Sequence, residues 1–79
     1  PIAVHWNDEA LRQAHEHGLR LGQPVRELVD QCLAQDPRPA YQKPPPERRY
    51  GVRLWDLDVH WHYPADGEIC VLDVQRAAD

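Results

Sequence analysis

A chain of 79 residues has room for one domain, and it is too short for a dinucleotide-binding domain together with a substrate domain. Its formal net charge of -4 argues against a general nucleic-acid binder. No apolar run approaches the roughly 20 residues that a membrane span needs, and no secretory leader opens the chain, so we expect a cytoplasmic protein without a membrane partner.

Two further features of the sequence bear on its context. It starts at Pro1 and contains no methionine, so we expect a fragment or a processed product rather than a full gene product. Cys32 and Cys70 lie in apolar surroundings. This favours two buried thiols in a reducing cytoplasm over a disulfide framework, although a single bridge stays open.

The first half of the chain predicts a short strand and two helices. Apolar residues alternate over 2–6, and Asn7 or Asp8 can cap the helix that follows, which Gly18 and Gly22 punctuate. A second helix is predicted over 23–35, with proline in its first turn. Its apolar residues recur at helical spacing and are Val25, Leu28, Val29, Cys32 and Leu33.

The second half predicts three strands. Apolar residues alternate over 50–55 and, after a turn near Asp56, over 58–63. Asp66-Gly67 is the strongest hairpin signal in the chain. The final strand, 69–74, is almost wholly apolar, so we expect it to be central in the sheet or covered.

Together these elements predict a small α+β two-layer domain in the order β-α-α-β-β-β. The last three strands form an antiparallel meander, and the two helices cover the face that carries Val59, Trp61 and Tyr63. Residues 44–46 are three prolines, which predict an exposed polyproline loop, and 76–79 are expected to fray.

A proline turn, residues 36–41, separates the two halves. Its sequence is Asp-Pro-Arg-Pro-Ala-Tyr. Each proline fixes its own φ and drives the residue before it out of the helical region, which predicts a stiff, extended segment that presents Asp36, Arg38 and Tyr41. A rigid arginine, carboxylate and phenol favour a recognition element. The alternative is a helix terminator in which Arg38 pairs locally.

Most of the positive charge follows this turn, in a basic strip over residues 38–53. The strip has a local charge of +4, which leaves -8 for the remainder of the chain. Its basic residues are Arg38, Lys43, Arg48, Arg49 and Arg53. Such a strip on an acidic body suits a phosphate-bearing partner, but a solvated loop whose charges pair with that body explains it equally well.

Three aromatic residues, Tyr41, Tyr50 and Trp55, flank the basic strip. Aromatic faces beside arginines can hold an unstacked base of single-stranded RNA. In so small a domain the alternative, that Tyr50 and Trp55 belong to the core, is at least as strong.

The sequence offers little for catalysis or for metal binding. It contains no serine and no threonine, and Cys32 lies on an apolar helix stripe, where thiols are usually inert. Asp56 and Asp58 are expected to shape a turn. His60 and His62 share one side of a predicted strand, but no third ligand has convincing spacing. We therefore expect neither a catalytic residue nor a metal site in this chain.

Three runs of the sequence resemble one family: LAQDPRPAY at 33–41, RYGV at 49–52 and LDVHW at 57–61. They resemble the C-terminal domain of the TrmO family, also called YaeB or TsaA-like proteins, which are S-adenosylmethionine-dependent tRNA methyltransferases. The resemblance covers nearly the whole chain, and the DPRPAY run is its specific part.

The resemblance implies a parent enzyme that methylates the exocyclic amine of threonylcarbamoyl-adenosine beside the anticodon. Its methyl donor would bind a separate N-terminal β-barrel domain, through which the parent dimerises. That domain is absent from residues 1–79. This chain should therefore be a single C-terminal tRNA-recognition domain that binds no donor, is monomeric and is inactive alone. Its partners would be the tRNA anticodon stem-loop and its own N-terminal domain.

On this resemblance we expect the proline turn to seat the anticodon loop. Arg38 would contact a phosphate or the carboxylate of the threonyl group, Tyr41 would stack on or hydrogen-bond the base, and Asp36 would orient Arg38. Backbone phosphates would be held by Lys43, Arg48, Arg49 and Arg53. The alternative function is a stand-alone acidic protein-interaction domain that does not bind RNA.

Overall fold

The structure is a computed structural model that describes residues 2–36 and 43–78. Its elements follow one another as β1 (Ala3–Trp6), α1 (Asp8–Leu21), α2 (Val25–Ala34), β2 (Tyr50–Leu54), β3 (Leu57–His62) and β4 (Glu68–Arg76). This order confirms the predicted β-α-α-β-β-β arrangement of an α+β domain. The second helix is slightly shorter than predicted, because Pro24 precedes its first turn instead of occupying it. Neither described helix is long and apolar enough to cross a membrane.

The four strands form one sheet in the order β1-β4-β3-β2. β2, β3 and β4 pair antiparallel, which confirms the predicted meander. β1 pairs parallel to β4, so the sheet is mixed and not purely antiparallel. This register sets Val4 beside Ile69 and Trp6 beside Val71. The larger apolar side chains of β1 therefore join the face that the helices cover, which favours the parallel pairing.

The two faces of the sheet differ in composition. The helix face, which α1 and α2 cover, holds the core, and β4 and β3 are its central strands as expected. The buried core residues are Ala10, Ala14, Val25, Val29, Leu33, Leu57, Val59, Trp61, Tyr63, Ile69, Val71 and Val74. The open face carries the alternate residues of each strand, which are polar for the most part and exposed or half-buried.

A β-bulge at Leu72 shifts the register of β4 against β3, so that Asp73 lies opposite His60 on the open face. Beyond the bulge, the N–H of Val74 donates to the side-chain oxygen of Gln13 on α1 at 2.7 Å. The side chain of Gln13 thus accepts a hydrogen bond from a backbone N–H next to the bulge, and this contact joins the helix layer to the sheet.

The ends of α1 follow local rules. Asn7 accepts a hydrogen bond from the N–H of Ala10 at 2.7 Å, which confirms the predicted cap. Gly22 ends the helix with φ 66°, a left-handed conformation that glycine adopts without a steric cost. Arg20, in the last turn, donates both Nη1 and Nη2 to the carboxylate of Asp56, at 2.9 and 2.8 Å.

The β2–β3 turn is fixed from two sides. Besides the Arg20 pair, the carbonyl of Asp56 accepts a hydrogen bond from the N–H of Ala77 at 2.8 Å, and Nε of Arg76 lies 3.3 Å from the Asp56 carboxylate. Arg76 is the last residue of β4. The predicted frayed tail was therefore wrong for Arg76 and Ala77, because the carbonyl and carboxylate of Asp56 hold both.

Candidate functional site

The proline turn is only partly described. Arg38 and Tyr41 lie outside the described residues, so their predicted roles rest on the sequence. Asp36 is described, directly after the end of α2, and its φ is 50°. The prediction of an extended conformation was wrong at this residue: Asp36 is left-handed, in the position after a helix end where glycine or asparagine is usual.

The side chain that directly follows β3 contacts this residue. The hydroxyl of Tyr63 donates to Oδ1 of Asp36 at 2.9 Å, across 27 residues of sequence. Tyr63 is 3% exposed, directly after the last residue of β3. The first residue of the proline turn is therefore tied to the sheet.

A recess of about 290 Å³ lies beside this contact. It is lined by Lys43, Pro44, Pro46, Tyr63, Ala65 and Asp66. Tyr63 thus takes part in the recess and in the contact with Asp36. Lys43, the first described residue after the turn, lines the same recess. Two prolines line it as well, and so does Asp66 at the β3–β4 hairpin.

Arg48 lies on the helix-face side of this end of the sheet. Its guanidinium carbon is 5.0 Å from the centroid of the Tyr50 ring, a cation–π contact. Tyr50 in turn stacks on Trp61 at 6.0 Å and meets Tyr63 edge-on at 5.3 Å. Tyr50 is thus a member of the core margin, which was the alternative to base stacking. Its hydroxyl and the indole N–H of Trp61 are buried without a hydrogen-bond partner in the described part of the chain.

Arg49, the next residue along, lies on the opposite side of the sheet. Its Nη2 is 2.8 Å from Oδ2 of Asp73, and Nδ1 of His60 is 2.7 Å from Oδ1 of the same carboxylate. The His60 ring also covers Gly51, because a Cβ built on Gly51 would lie 3.2 Å from that ring. The arginine is therefore held on the open face by an internal ion pair.

Arg53 and Trp55 lie apart from the recess. Arg53 is three residues along β2 from Tyr50, roughly 10 Å at about 3.3 Å per residue, and its Nε donates to Asp58 at 2.8 Å. Trp55 is 42% exposed in the β2–β3 turn, with φ 55°. The alternative that Trp55 belongs to the core was wrong, because the turn directs its side chain outward.

The basic strip is therefore divided. The structure brings Lys43 to the Tyr63 recess and places Arg48 against Tyr50, which contacts Tyr63. It pairs Arg49 and Arg53 with carboxylates elsewhere, as the alternative of charges paired with the acidic body expected. Sequence reasoning missed Tyr63 as a site residue. A signal was available, because a tyrosine at a core position of a strand needs a partner for its hydroxyl.

The histidines of the open face have other partners. Nδ1 of His62 donates to the carbonyl of Pro46 at 2.8 Å, which fastens the polyproline loop to β3. Nε2 of His5 lies 3.3 Å from Glu68. Within residues 2–36 and 43–78, no three His, Cys, Asp or Glu side chains come together as metal ligands would.

Comparison with known proteins gives a consistent result. A family model described as the TrmO C-terminal domain matches residues 1–77. The crystal structure of TrmO from Pseudomonas aeruginosa superposes with a TM-score of 0.87 at 72% sequence identity, covering 94% of this chain and 35% of that one.

Two relatives match by sequence. The Pseudomonas aeruginosa protein described as "Putative S-adenosylmethionine-dependent methyltransferase RcsF" is 77% identical over 73 residues, which are 92% of this chain and 32% of that protein. A tRNA (adenine(37)-N6)-methyltransferase of Eikenella corrodens is 41% identical over 59 residues, 75% of this chain and 30% of that enzyme. The chain therefore spans about a third of the length of the relatives that it matches.

Proposed function

The chain belongs to the TrmO family of S-adenosylmethionine-dependent tRNA methyltransferases through its C-terminal domain, and we propose that it recognises the substrate of the parent enzyme. That substrate is a tRNA whose threonylcarbamoyl-adenosine, beside the anticodon, receives a methyl group on its exocyclic amine. The chain binds the anticodon loop and helps to close the active site. The parent protein acts in the cytoplasm as a homodimer, and this chain alone is inactive.

One observation carries the proposal: the hydrogen bond from Tyr63 to Asp36 joins the start of the proline turn to the recess that Lys43 lines. Asp36, the first residue of the motif that is specific to the family, and Lys43, the first cation after that motif, are thus both close to Tyr63. A lysine beside proline surface suits a substrate group that carries both a carboxylate and a methyl group, as the threonyl group does.

The proline turn supplies the recognition groups. Asp36 orients Arg38, whose planar guanidinium forms a bidentate contact with a phosphate or with the threonyl carboxylate. Tyr41 stacks on the modified base or hydrogen-bonds to it. These roles follow the family resemblance, and the anchored position of Asp36 supports them.

The basic residues contact phosphates to different extents. Lys43 and Arg48 are exposed and make no ion pair with a described residue, so each can contact a phosphate directly. Arg49 and Arg53 are paired with carboxylates, so each must exchange its carboxylate for a phosphate to take part. The first two therefore contribute more to RNA affinity than the last two.

The recess beside Tyr63 is too small for the methyl donor. Its volume of about 290 Å³ lies just below the range of about 300–1,000 Å³ that small-molecule sites occupy. We place the donor site in the remaining two thirds of the parent protein. S-adenosylmethionine, bound there, supplies the methyl group, and this chain binds and orients the RNA.

A chemical-shift titration tests the proposal. The isotope-labelled chain is titrated at low salt with an anticodon stem-loop that carries threonylcarbamoyl-adenosine, and with the unmodified stem-loop as a control. Shifts should concentrate at Asp36 to Lys43 and at Arg48. They should be lost in Arg38→Ala but not in Arg26→Ala, a matched arginine on α2. Binding should weaken steeply as salt is added.

Two results would overturn the proposal. One is a shift pattern that is the same in Arg38→Ala and in the unaltered chain. The other is the absence of any shift at millimolar RNA, combined with full activity of Arg38→Ala in the complete enzyme. Either outcome favours the alternative of an acidic protein-interaction domain that does not bind RNA.

A further inference from the structure

Tyr63 contacts Asp36, the first residue of the proline turn. It follows a strand whose helix-face residues are all buried, and its own exposure is 3%. Its ring packs edge-on against Tyr50 at 5.3 Å. Its hydroxyl reaches out of this core and donates to Oδ1 of Asp36 at 2.9 Å.

Asp36 has a backbone conformation that it does not adopt by preference. Its φ of 50° is left-handed, and an aspartate tolerates this region less well than glycine does. Its N–H donates to the carbonyl of Leu33 at 2.9 Å, which closes the end of α2. The helix end therefore restrains the backbone of this residue, and Tyr63 restrains its carboxylate.

We propose that Tyr63 is a positioning residue for substrate recognition: its hydroxyl holds the carboxylate of Asp36, the first residue of the proline turn, in the orientation that tRNA recognition needs. This inference rests on the proposed function and adds a residue to it. A hydrogen bond to an ionised acceptor restricts the carboxylate more strongly than a neutral pair would. The rigid core beneath Tyr63 makes that restraint independent of RNA.

A merely structural role for Tyr63 leads to a different expectation. If the hydrogen bond served only to stabilise the fold, its loss would lower the melting temperature and leave the folded enzyme fully competent. If it positions the turn, its loss raises the KM for tRNA in an enzyme that is still folded at the assay temperature. The two roles therefore separate in the kinetic parameters.

The test is made in the complete methyltransferase that carries this domain. Tyr63→Phe keeps the ring and removes the hydroxyl. Because Tyr63→Phe loses a hydrogen bond to a charged group, KM for the modified tRNA should rise roughly tenfold to a hundredfold. The kcat should change much less. Tyr50→Phe is the matched control, because its hydroxyl makes no hydrogen bond to a described residue, and it should leave both parameters unchanged.

A double-mutant cycle shows whether Tyr63 acts through Asp36. Asp36→Ala should raise KM at least as much as Tyr63→Phe does. The double variant should have the same KM as Asp36→Ala alone. In the isolated, labelled chain, Tyr63→Phe should shift the backbone resonances of Asp36. That measurement needs no activity, so it also reports on a variant whose parent enzyme folds poorly.

Three outcomes overturn the inference: an unchanged KM in Tyr63→Phe, an effect equal to that of Tyr50→Phe, or an effect that adds fully to that of Asp36→Ala. Arg38→Ala in the same assay separates this failure from that of the proposed function. If Arg38→Ala impairs tRNA binding while Tyr63→Phe does not, the proposed function is supported and the positioning role of Tyr63 is refuted. If neither impairs binding, both proposals fall.

Discussion

Replacing Arg48 by glutamine should remove one phosphate contact and nothing else of consequence. Arg48 is exposed, and its described contact is with the Tyr50 ring at 5.0 Å. It can therefore bind a phosphate without giving up a carboxylate. Each phosphate contact adds about 0.7 to 0.9 to the slope of log K against log salt, so at about 50 mM salt its loss should weaken RNA binding roughly tenfold.

The matched variant is Arg53→Gln, in the same basic strip. Arg53 donates to Asp58 at 2.8 Å, so a phosphate contact would first have to break this ion pair. Its distance from the recess also places it away from the bound loop. We expect Arg53→Gln to leave the salt slope unchanged and to alter affinity by about twofold at most, within the net value of an exposed ion pair.

The assay is a fluorescence titration of a labelled anticodon stem-loop at several salt concentrations, with both variants and the unaltered chain in parallel. Loss of the cation–π contact should lower the stability of Arg48→Gln by only about 0.5–1 kcal/mol, a few degrees in melting temperature. The reasoning would be refuted if both variants lost the same amount of salt slope, because an ion pair would then not reduce the contribution of an arginine to RNA binding. An unchanged slope in Arg48→Gln would refute it as well.

Three further predictions concern carboxylates. Asp73→Asn should lower the free energy of unfolding by about 1–2 kcal/mol, seen in urea titrations, because it weakens the acceptor of His60. The Arg20 hydrogen bonds hold the pKa of the Asp56 carboxyl below its usual value, so its stabilisation is present at pH 7 and lost as pH falls through that lowered pKa. Melting temperatures of Asp56→Asn and the unaltered chain should therefore differ at pH 7 and converge as the pH falls through that lowered pKa. Asp36→Gly should be more stable than Asp36→Ala by about 1 kcal/mol in thermal unfolding, because glycine accepts a φ of 50°; equal stabilities would argue against the left-handed conformation.

The sequence predicts those helices and strands in which apolar residues recur at a regular spacing. The alternation in β2 and β3 and the hairpin signal at Asp66-Gly67 gave the antiparallel meander, because neighbouring strands need only a turn between them. The Asn7 cap is equally local. In each case the physical cause lies within a few residues of its effect, so a single sequence contains it.

Features that depend on partners distant in sequence were not predictable in this way. The parallel pairing of β1 with β4 joins the two ends of the chain. The hydrogen bond of Val74 to Gln13 spans 61 residues, and that of Tyr63 to Asp36 spans 27. The residue types suggest a need for a partner in each case, but only the packed sheet and helices decide which partner is within reach.

The basic strip shows why a local charge excess is a poor guide to a binding surface. Arg48 and Arg49 are neighbours in sequence, yet one lies over the Tyr50 ring and the other contacts Asp73 on the open face. Both residues precede β2, which begins at Tyr50, and each contacts a partner on a different side of the sheet. Fewer cations than the basic strip contains therefore contribute to the positive electrostatic potential at the recess. The net charge of the whole chain is -4, which weakens that potential further. Under the proposed function, so weak an electrostatic attraction means that affinity for RNA depends more on the anchoring of Asp36 by Tyr63 than on the number of arginines.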